Sequence, residues 1–268
     1  MLVKLGAALA AIAAFVAIVA FVADYISTKS ENKVLIAQAE ASPPVQVVPP
    51  TPESNVERVP HLEEPNYEPF LFLKDIRVVD LRARQKIPES MKDKRFSPAT
   101  WTRYTLARKK REVGSISFQF ATTGVGLDPR CLTHSYRLRK AVEPDIHGDR
   151  TLKESWEVVV DVSDIPVGDD FLIINEATYW NGFRGEESEW ASIKTQEGTT
   201  TEELGILVLF PEHKPYKLFS MLAYSHGSDQ KQQFQGVART FPSHTKQSFY
   251  WKIDDPKPAY AYELEWTW

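Results

Sequence analysis

Apolar and polar residues alternate with a period of two along most of the chain beyond its N-terminal quarter. Because successive side chains of a β-strand point to opposite faces, this period predicts strands with one buried face. Residues 115–123, SISFQFATT, show it clearly, with Ile116, Phe118 and Phe120 on one face. Residues 204–210, LGILVLF, are apolar on both faces, which is typical of a central strand. The other strand candidates are 70–81, 131–140, 155–163, 171–180, 216–224, 232–240, 248–253 and 260–268.

Short segments rich in Pro, Gly, Ser and Asp separate these candidates, as turns require. Asn181-Gly182 directly follows one of them and predicts a tight β-hairpin. Residues 97–110 are ambiguous, because Ser97-Pro98 can begin a helix while the residues after it also fit a strand. Roughly ten strands with short connections predict an all-β domain, an antiparallel β-sandwich of jelly-roll or immunoglobulin-like type.

The last predicted strand carries an apolar, mostly aromatic row on one face: Tyr260, Tyr262, Leu264, Trp266 and Trp268. This row is either the buried face of a strand or an exposed platform for a ligand. A sandwich needs one apolar face on each strand, so the sequence favours the buried face. We expect Trp268 to be the most exposed member of the row, and Glu263 and Glu265 on the opposite face to lie in water.

An apolar run near the N-terminus, residues 5–23, contains 19 residues and no charge. As a helix it would span roughly 28 Å, close to the hydrocarbon core of a bilayer. The run is long for a cleaved signal peptide, so it favours an uncleaved signal anchor, a single transmembrane helix behind a short basic stub at 1–4. The stub and Asp24 favour an extracytoplasmic head, but Lys29 and Lys33 leave the opposite orientation open.

The segment after this helix, residues 24–69, is predicted to be a flexible, proline-rich stalk. Eight prolines lie between residues 43 and 69, and proline fixes φ and lacks an N–H, so helix and central strand are excluded there. Polyproline II is the expected conformation. The stalk therefore separates the membrane helix from a folded head, residues 70–268.

Composition changes this description little. The chain has 268 residues, a net charge of -4 and a single cysteine, Cys131. A lone cysteine excludes an intrachain disulfide and is most often a small buried apolar residue. Cys131 and His134 are too few ligands for zinc, and the net charge gives no signal for nucleic acid. We expect no nucleic-acid partner and no small-molecule cofactor.

No motif of a known catalytic mechanism is present. The weak catalytic candidates are Asp145, His147 and Asp149, where a titratable histidine lies between two carboxylates. The simpler interpretation is a solvated turn. The loops near Asp161–Asp170 are rich in acids and leave Ca2+ as a minor alternative, although no calcium-loop pattern is present.

Two clusters are candidates for contact with a partner. The aromatic cluster is expected to contact a ligand, a partner or the domain's own core. It comprises Tyr179, Trp180, Asn181, Phe183 and Trp190. The basic cluster is expected to pair with the acidic part of the head or with another copy, or to lie on a membrane surface. It comprises Lys94, Arg95, Arg103, Lys109, Lys110 and Arg111.

These features predict a membrane-anchored, non-catalytic binding or scaffolding module that presents a β-sandwich head on a stalk. A protein partner or self-association is expected, with membrane attachment through residues 5–23. Two alternatives stay open. One is a hydrolase that uses the 145–149 loop, and the other is a sensor or signalling domain that faces the cytoplasm.

Overall fold

The computed structural model describes residues 68–140, 146–147, 150–151, 154–196, 198–226, 228, 230–235 and 238–268. These residues are nearly all β-structure in several antiparallel sheets, which confirms the predicted all-β class. Their one helix is a single 3-10 turn, Glu89–Met91, and no helix among them has the length and apolarity to cross a membrane. The predicted stub 1–4, transmembrane helix 5–23 and stalk 24–69 lie outside the described residues, except for the last two stalk residues.

Seventeen strands are present in the described part of the chain. In chain order they are β1 Phe70–Asp80, β2 Pro98–Lys109, β3 Ser115–Thr122, β4 Gly126–Cys131, β5 Tyr136–Lys140, β6 Ile146–His147, β7 Arg150–Thr151, β8 Glu154–Asp161, β9 Asp170–Trp180, β10 Ser188–Lys194, β11 Thr200–Thr201, β12 Glu203–Leu209, β13 Phe219–Ser225, β14 Gln232–Gln233, β15 Ala238–Pro242, β16 Ser248–Asp254 and β17 Tyr260–Thr267. The ambiguous segment 97–110 is therefore a strand.

The main sheet has the strand order β15-β16-β12-β1-β2-β9-β4, with β11 paired to one end of β1. The pairs of β1 with β12 and β11 are parallel, and the others are antiparallel. Strand β12 lies between β16 and β1, so both of its edges are paired within the sheet. Leu204, Ile206 and Val208 on one face and Leu209 on the other are buried, which explains its apolar sequence on both faces. The prediction of a central strand at 204–210 is confirmed.

Two smaller sheets and a two-stranded ribbon complete the head. The β17 sheet has the order β10-β17-β13-β14, the β8 sheet has the order β3-β8-β5, and β6 pairs with β7. Buried side chains from the main, β8 and β17 sheets form one continuous hydrophobic core. Trp251 of the main sheet, Phe118 of the β8 sheet and Trp266 of the β17 sheet are among its largest fully buried members.

The prediction of a β-hairpin at Asn181-Gly182 is wrong. Strand β9 pairs with β2 and β4 in the main sheet, whereas β10 pairs with β17 in a different sheet. Asn181 does adopt the left-handed conformation that favours Asn, with φ 53°, but the chain then crosses between sheets instead of folding back on β9. Strand β10 itself has no counterpart among the predicted strands.

Two predicted strands are each divided between sheets. The 131–140 segment contributes the end of β4 to the main sheet and β5 to the β8 sheet. The 232–240 segment likewise contributes β14 to the β17 sheet and part of β15 to the main sheet. In 131–140 the alternation of Leu132, Tyr136 and Leu138 continues across the division, so the sequence pattern there does not reveal the change of partner.

The row on the terminal strand β17 is a buried face and not an exposed platform. Four of its five residues are buried in the core, namely Tyr262, Leu264, Trp266 and Trp268. The expectation that Trp268 is exposed is wrong, since it is 6% exposed and its indole N–H donates to Gly185 O at 3.1 Å. The expectation of a wet Glu263 is also wrong. Its carboxylate is fully buried and accepts from Lys231 Nζ at 2.6 Å and Tyr224 Oη at 3.1 Å.

Candidate functional site

A cleft of about 850 Å3 opens where the main, β8 and β17 sheets meet. Each sheet contributes one wall, so the site is built from rigid strands and not from a single loop. The main sheet supplies Arg77, Trp101, Arg103 and Tyr179. The other two walls are strands β3 and β10.

A polar row lies on the inner face of the main sheet beneath the cleft. The register places Arg77 of β1 directly beside Arg103 of β2, and Asp75 directly beside Thr105. Arg103 forms a bidentate ion pair with Asp75, with Nε–Oδ1 at 2.8 Å and Nη2–Oδ2 at 2.6 Å. The Thr105 hydroxyl also donates to Asp75 Oδ1, at 3.2 Å. All of these side chains except Arg77 are buried within the core.

Electrostatics hold the Asp75 carboxylate in its ionised form. Burial alone would raise its pKa. The charges of Arg103 and Arg77, together with hydrogen bonds from Arg103 and Thr105, outweigh burial and lower the pKa of Asp75 below 3.8. The row therefore combines two guanidinium groups with one carboxylate, which leaves it with an excess of positive charge.

Arg77 carries that excess and has the weaker set of contacts. Its guanidinium lies 3.9 Å from the Asp75 carboxylate and donates to Ser192 O at 3.5 Å and to Lys194 O at 3.4 Å, all longer than ordinary hydrogen bonds. Its Nε has no hydrogen-bond partner among the described residues. Burial and the neighbouring charge of Arg103 lower the pKa of Arg77 to about 9. An additional anion would give the Nε a hydrogen-bond acceptor and would offset the repulsion from Arg103.

Aromatic rings line the cleft beside Arg77. Trp101 stacks on Tyr179 with 5.6 Å between ring centroids, and the Arg77 guanidinium lies 5.8 Å from the Trp101 ring. Burial raises the pKa of the Tyr179 phenol well above its usual range, so the ring stays neutral. Phe183 and Trp190 extend this aromatic surface toward the β17 sheet. Rings and a guanidinium together suit a ligand that has both flat apolar and anionic parts.

The other two walls are edge strands. Among the described strands, β10 is hydrogen-bonded only to β17 and β3 only to β8. In an antiparallel pair, alternate residues direct both backbone groups toward the partner, and the residues between them direct theirs away. Thr195 N donates to Tyr260 O, so the backbone groups of Trp190, Ser192 and Lys194 face away from β17.

The same reasoning applies to β3. Val162 N donates to Gly114 O, so the backbone groups of Ser117, Gln119 and Ala121 face away from β8. Residues with outward-facing backbone groups on both strands line the cleft. Gln196 connects the two walls at one end, where its Nε2 donates to Ser117 O at 2.6 Å. The cleft therefore lies between two strand edges.

Charge on the cleft walls is predominantly basic. Five basic side chains and two acidic ones line it. The basic residues are Arg77, Arg103, Arg139, Lys140 and Lys194, and the acidic ones are Glu157 and Glu189. Arg139 and Glu157 lie 3.6 Å apart and largely neutralise each other at the rim. The remaining balance favours an anionic ligand.

The predicted aromatic cluster is divided by the structure. Tyr179, Phe183 and Trp190 line the cleft. Trp180 lies outside it, on the other face of β9, where its indole N–H donates to Asp128 Oδ2 at 2.7 Å. Asn181 is fully buried, so its assignment as a partner contact is wrong.

Asn181 instead fixes the segment before β2. Its Oδ1 accepts from the backbone N–H groups of Phe96 and Ser97, at 3.2 and 2.9 Å. Its Nδ2 lies within hydrogen-bond distance of the carbonyls of Met91, Lys92 and Lys94, at 3.0, 3.2 and 2.6 Å. One amide thus replaces a set of backbone hydrogen bonds that the irregular segment does not make itself.

Substitution of Asn181 by alanine is expected to lower the free energy of unfolding by about 2–3 kcal/mol, because buried N–H groups would lose their acceptor. Urea unfolding of the full chain measures this loss. Asn181→Gly is the control, since glycine accepts the φ of 53° without strain. Recovery of most of the lost stability by glycine would show that backbone conformation, and not the amide, is responsible.

The predicted basic surface also changes. Arg103 and Lys109 are buried, 4% and 0% exposed, so they do not belong to any surface cluster. Lys109 Nζ donates to the carbonyls of Val162 and Ile165, at 3.0 and 2.7 Å. The reason is the strand period of β2, which sends alternate basic residues into the core.

The remaining basic residues are exposed, and several form ion pairs within the head. Arg95 pairs with Asp128 at 2.8 Å, and Lys110 lies 3.8 Å from Glu68. Lys94 and Arg111 are exposed. Arg108, next to this cluster in sequence, pairs with Asp170 in the acid-rich region 161–170, at 2.7 Å.

The remaining candidates are the predicted catalytic loop 145–149 and the possible metal ligands Cys131 and His134. Asp145 and Asp149 lie outside the described residues, and the backbone of His147 forms part of β6. Cys131 is buried, as expected, and the His134 ring contacts Leu172 O at 3.1 Å. In the described part of the chain, no three acidic, histidine or cysteine side chains are grouped so that they could hold a metal ion.

Arg77 is the site residue that sequence reasoning missed. A signal for it exists, since Asp75 and Arg77 are among the few charged residues in the mostly apolar segment FLFLKDIRVVDL. Charged residues two apart on a strand share a face, and a charge on a core-facing position needs a partner or a ligand.

No family model matches the sequence, and no curated protein matches it. Among solved structures, a putative protease from Parabacteroides distasonis is 12% identical, with a TM-score of 0.43 over 75% of this chain and 40% of its own. Native yeast LTA4 hydrolase is 12% identical, with a TM-score of 0.36 over 75% and 29%. An M1 zinc metallopeptidase from Deinococcus radiodurans is 8% identical, with a TM-score of 0.33 over 73% and 42%.

This chain thus spans less than half the length of each of these three proteins. Likeness at these values carries no argument about the activity of this chain. What the structure itself defines is an all-β domain with a basic, aromatic-lined cleft between two strand edges.

Proposed function

We propose that this chain is a membrane-anchored, non-catalytic binding module whose head is a predominantly antiparallel β-sandwich. Its ligand occupies the cleft between the sheets. The observation that carries the proposal is the composition of that cleft. It combines stacked rings, an incompletely paired arginine and strand edges on rigid walls, which are the elements of a binding site.

The sandwich architecture is supported by the shared core. Side chains from the main sheet pack with those of the β8 and β17 sheets in one cluster. Sheets that face each other across a common apolar layer are the defining feature of a sandwich. The jelly-roll and immunoglobulin-like alternatives remain part of the same proposal.

Membrane attachment is supported by the sequence of residues 5–23, which is uncharged and long enough to span a bilayer. We place the head on the extracytoplasmic side, at the end of the proline-rich stalk. In this arrangement the stalk gives the cleft reach toward a partner at some distance from the membrane.

The proposal is tested with a photo-crosslinking amino acid placed in the full chain, in the cells that make it. Gln119 is the cleft position, since it is exposed and lines the cleft. Thr102 is the matched control, since it lies on the main sheet and on the face opposite to Arg103. We expect adducts from position 119 to exceed those from position 102 severalfold. Equal yields, or none from position 119, would contradict a binding function of the cleft.

A further inference from the structure

We propose that the cleft binds an extended acidic peptide, which adds as a strand to the free edge of β10 and places one carboxylate against the Arg77 guanidinium. This inference rests on the proposed binding function and specifies the ligand class. It assigns Arg77 as the residue that determines specificity and Ser192 as the centre of the backbone contacts.

The first argument is the orientation of backbone groups on β10. The N–H and C=O of Ser192 face away from β17, into the cleft. An edge of this kind is the template on which an added strand pairs through main-chain hydrogen bonds. Natural proteins cover or charge such edges when they are not used. Here the cover is the Arg77 guanidinium on two carbonyls, and none of the described strands pairs with this edge.

The second argument is the contact between Arg77 and that same edge. Arg77 donates to the carbonyls of Ser192 and Lys194 at 3.5 and 3.4 Å, so these bonds are long and weak. A peptide strand offers its own N–H groups to these carbonyls. Its carboxylate offers the guanidinium a planar, bidentate acceptor, the pairing for which arginine is best suited. Each weak contact is thereby replaced by a stronger one.

The third argument is charge and depth. Arg77 is mostly withdrawn from solvent, with a side chain 11% exposed, and shares Asp75 with Arg103. A carboxylate at this depth meets little screening, so its interaction with Arg77 exceeds that of a surface ion pair. Lys140 and Lys194 add positive charge along the walls. The cleft therefore favours acidic over neutral or basic peptides.

The wall opposite β10 suits an extended ligand. Ser117, Gln119 and Ala121 direct their backbone groups toward the cleft from β3, so a strand on β10 would face a second polar edge and not an apolar surface. Trp101 and Trp190 offer rings to side chains of the peptide. An acidic oligosaccharide is the competing ligand class, because rings and an arginine also suit it. The strand edges favour the peptide.

The test begins with a displayed library of random nine-residue peptides, selected on the full chain. We expect enrichment of Asp or Glu over Asn or Gln at one fixed position by at least tenfold. Two altered forms of a selected peptide are then synthesised. In one, the enriched Asp or Glu is replaced by Asn or Gln, and in the other, alternate backbone amides are N-methylated. Both changes should weaken binding by tenfold or more, the first through Arg77 and the second through β10.

Variants of the protein address the same two contacts. Ser192→Pro removes an N–H that faces the cleft and leaves the β10–β17 ladder intact, as edge strands permit. Thr240→Pro is its control, since Thr240 lies on edge strand β15 with its N–H directed away from β16. Arg77→Met is compared with Arg130→Met on the opposite face of the main sheet. We expect both cleft variants to bind the peptide about tenfold more weakly than the wild-type chain. The two control variants should bind it as tightly as the wild-type chain does.

Three outcomes overturn the inference. One is a selection without acidic enrichment, another is full binding by the methylated peptide, and the third is binding of oligogalacturonate in place of any peptide. Should Arg77→Met fail to fold, Arg77→Lys keeps the charge and loses the bidentate geometry, and it must still weaken binding. Crosslinks from position 119 that persist while peptides fail would leave the binding module standing and remove only the peptide.

Discussion

Replacement of Asp75 by alanine is expected to lower the free energy of unfolding by about 3–5 kcal/mol. The carboxylate accepts two hydrogen bonds from Arg103 and one from Thr105, and all three side chains are buried. Its removal leaves the charge of Arg103 in the core without its counter-ion, while Arg77 adds a second positive charge nearby. A loss of this size is a large part of the total stability of a typical domain.

Urea unfolding of the full chain, followed by far-ultraviolet circular dichroism, measures the effect of Asp75→Ala. Glu176→Ala is the matched control, because Glu176 pairs with Arg130 at 2.5 Å on the exposed face of the same sheet. An exposed pair contributes about 0–1 kcal/mol. Equal losses in the two variants would mean that the buried row does not hold the main sheet together.

Acid should remove the contribution of Asp75. Its pKa in the folded protein lies below 3.8, whereas in the unfolded chain it is close to the ordinary value. A lowered pKa stabilises the fold at every pH above the unfolded value, and this stability is lost as pH falls through the folded value. The difference between the wild-type chain and Asp75→Asn should therefore be constant above about pH 5 and shrink below about pH 4.

Strand positions were largely predictable from the sequence, whereas sheet membership was not. Alternation reports which face of a strand is buried, and it located β3, β8, β9 and β12 within a few residues. It contains no information about which strand lies alongside. Within 131–140 the chain moves from one sheet to another without a break in the alternation. The turn signal at Asn181-Gly182 likewise does not reveal that the next strand joins a different sheet.

The cleft was predictable only in part, for the same reason. Aromatic residues near the end of β9 signalled contact, and Tyr179 and Phe183 do line the cleft. The contribution of Ser192 depends on which backbone groups β17 leaves facing outward, and that follows from register alone. Burial of Arg103 likewise depends on the position of Asp75 in the neighbouring strand.

The second large effect is expected at Trp266, where substitution by alanine should lower the free energy of unfolding by about 3–5 kcal/mol. Trp266 is 2% exposed and packs among three aromatic rings, two of which come from other segments of the chain. The ring centroids of Phe210, Trp268 and Phe183 lie 5.5, 5.9 and 6.2 Å from it. Alanine would leave a cavity that rings held by separate strands and loops cannot collapse to fill.

Trp266→Phe separates packing from polarity at this position. The indole Nε1 is buried without a hydrogen-bond partner among the described residues, so phenylalanine removes an unsatisfied donor along with part of the ring. We expect the phenylalanine variant to lose less than half as much stability as the alanine variant in urea unfolding. Equal losses would show that the size of the indole, and not the burial of an aromatic ring, determines the stability of this part of the core. Because Phe183 packs on Trp266 and also lines the cleft, the alanine variant should in addition weaken ligand binding, whereas the phenylalanine variant should retain it.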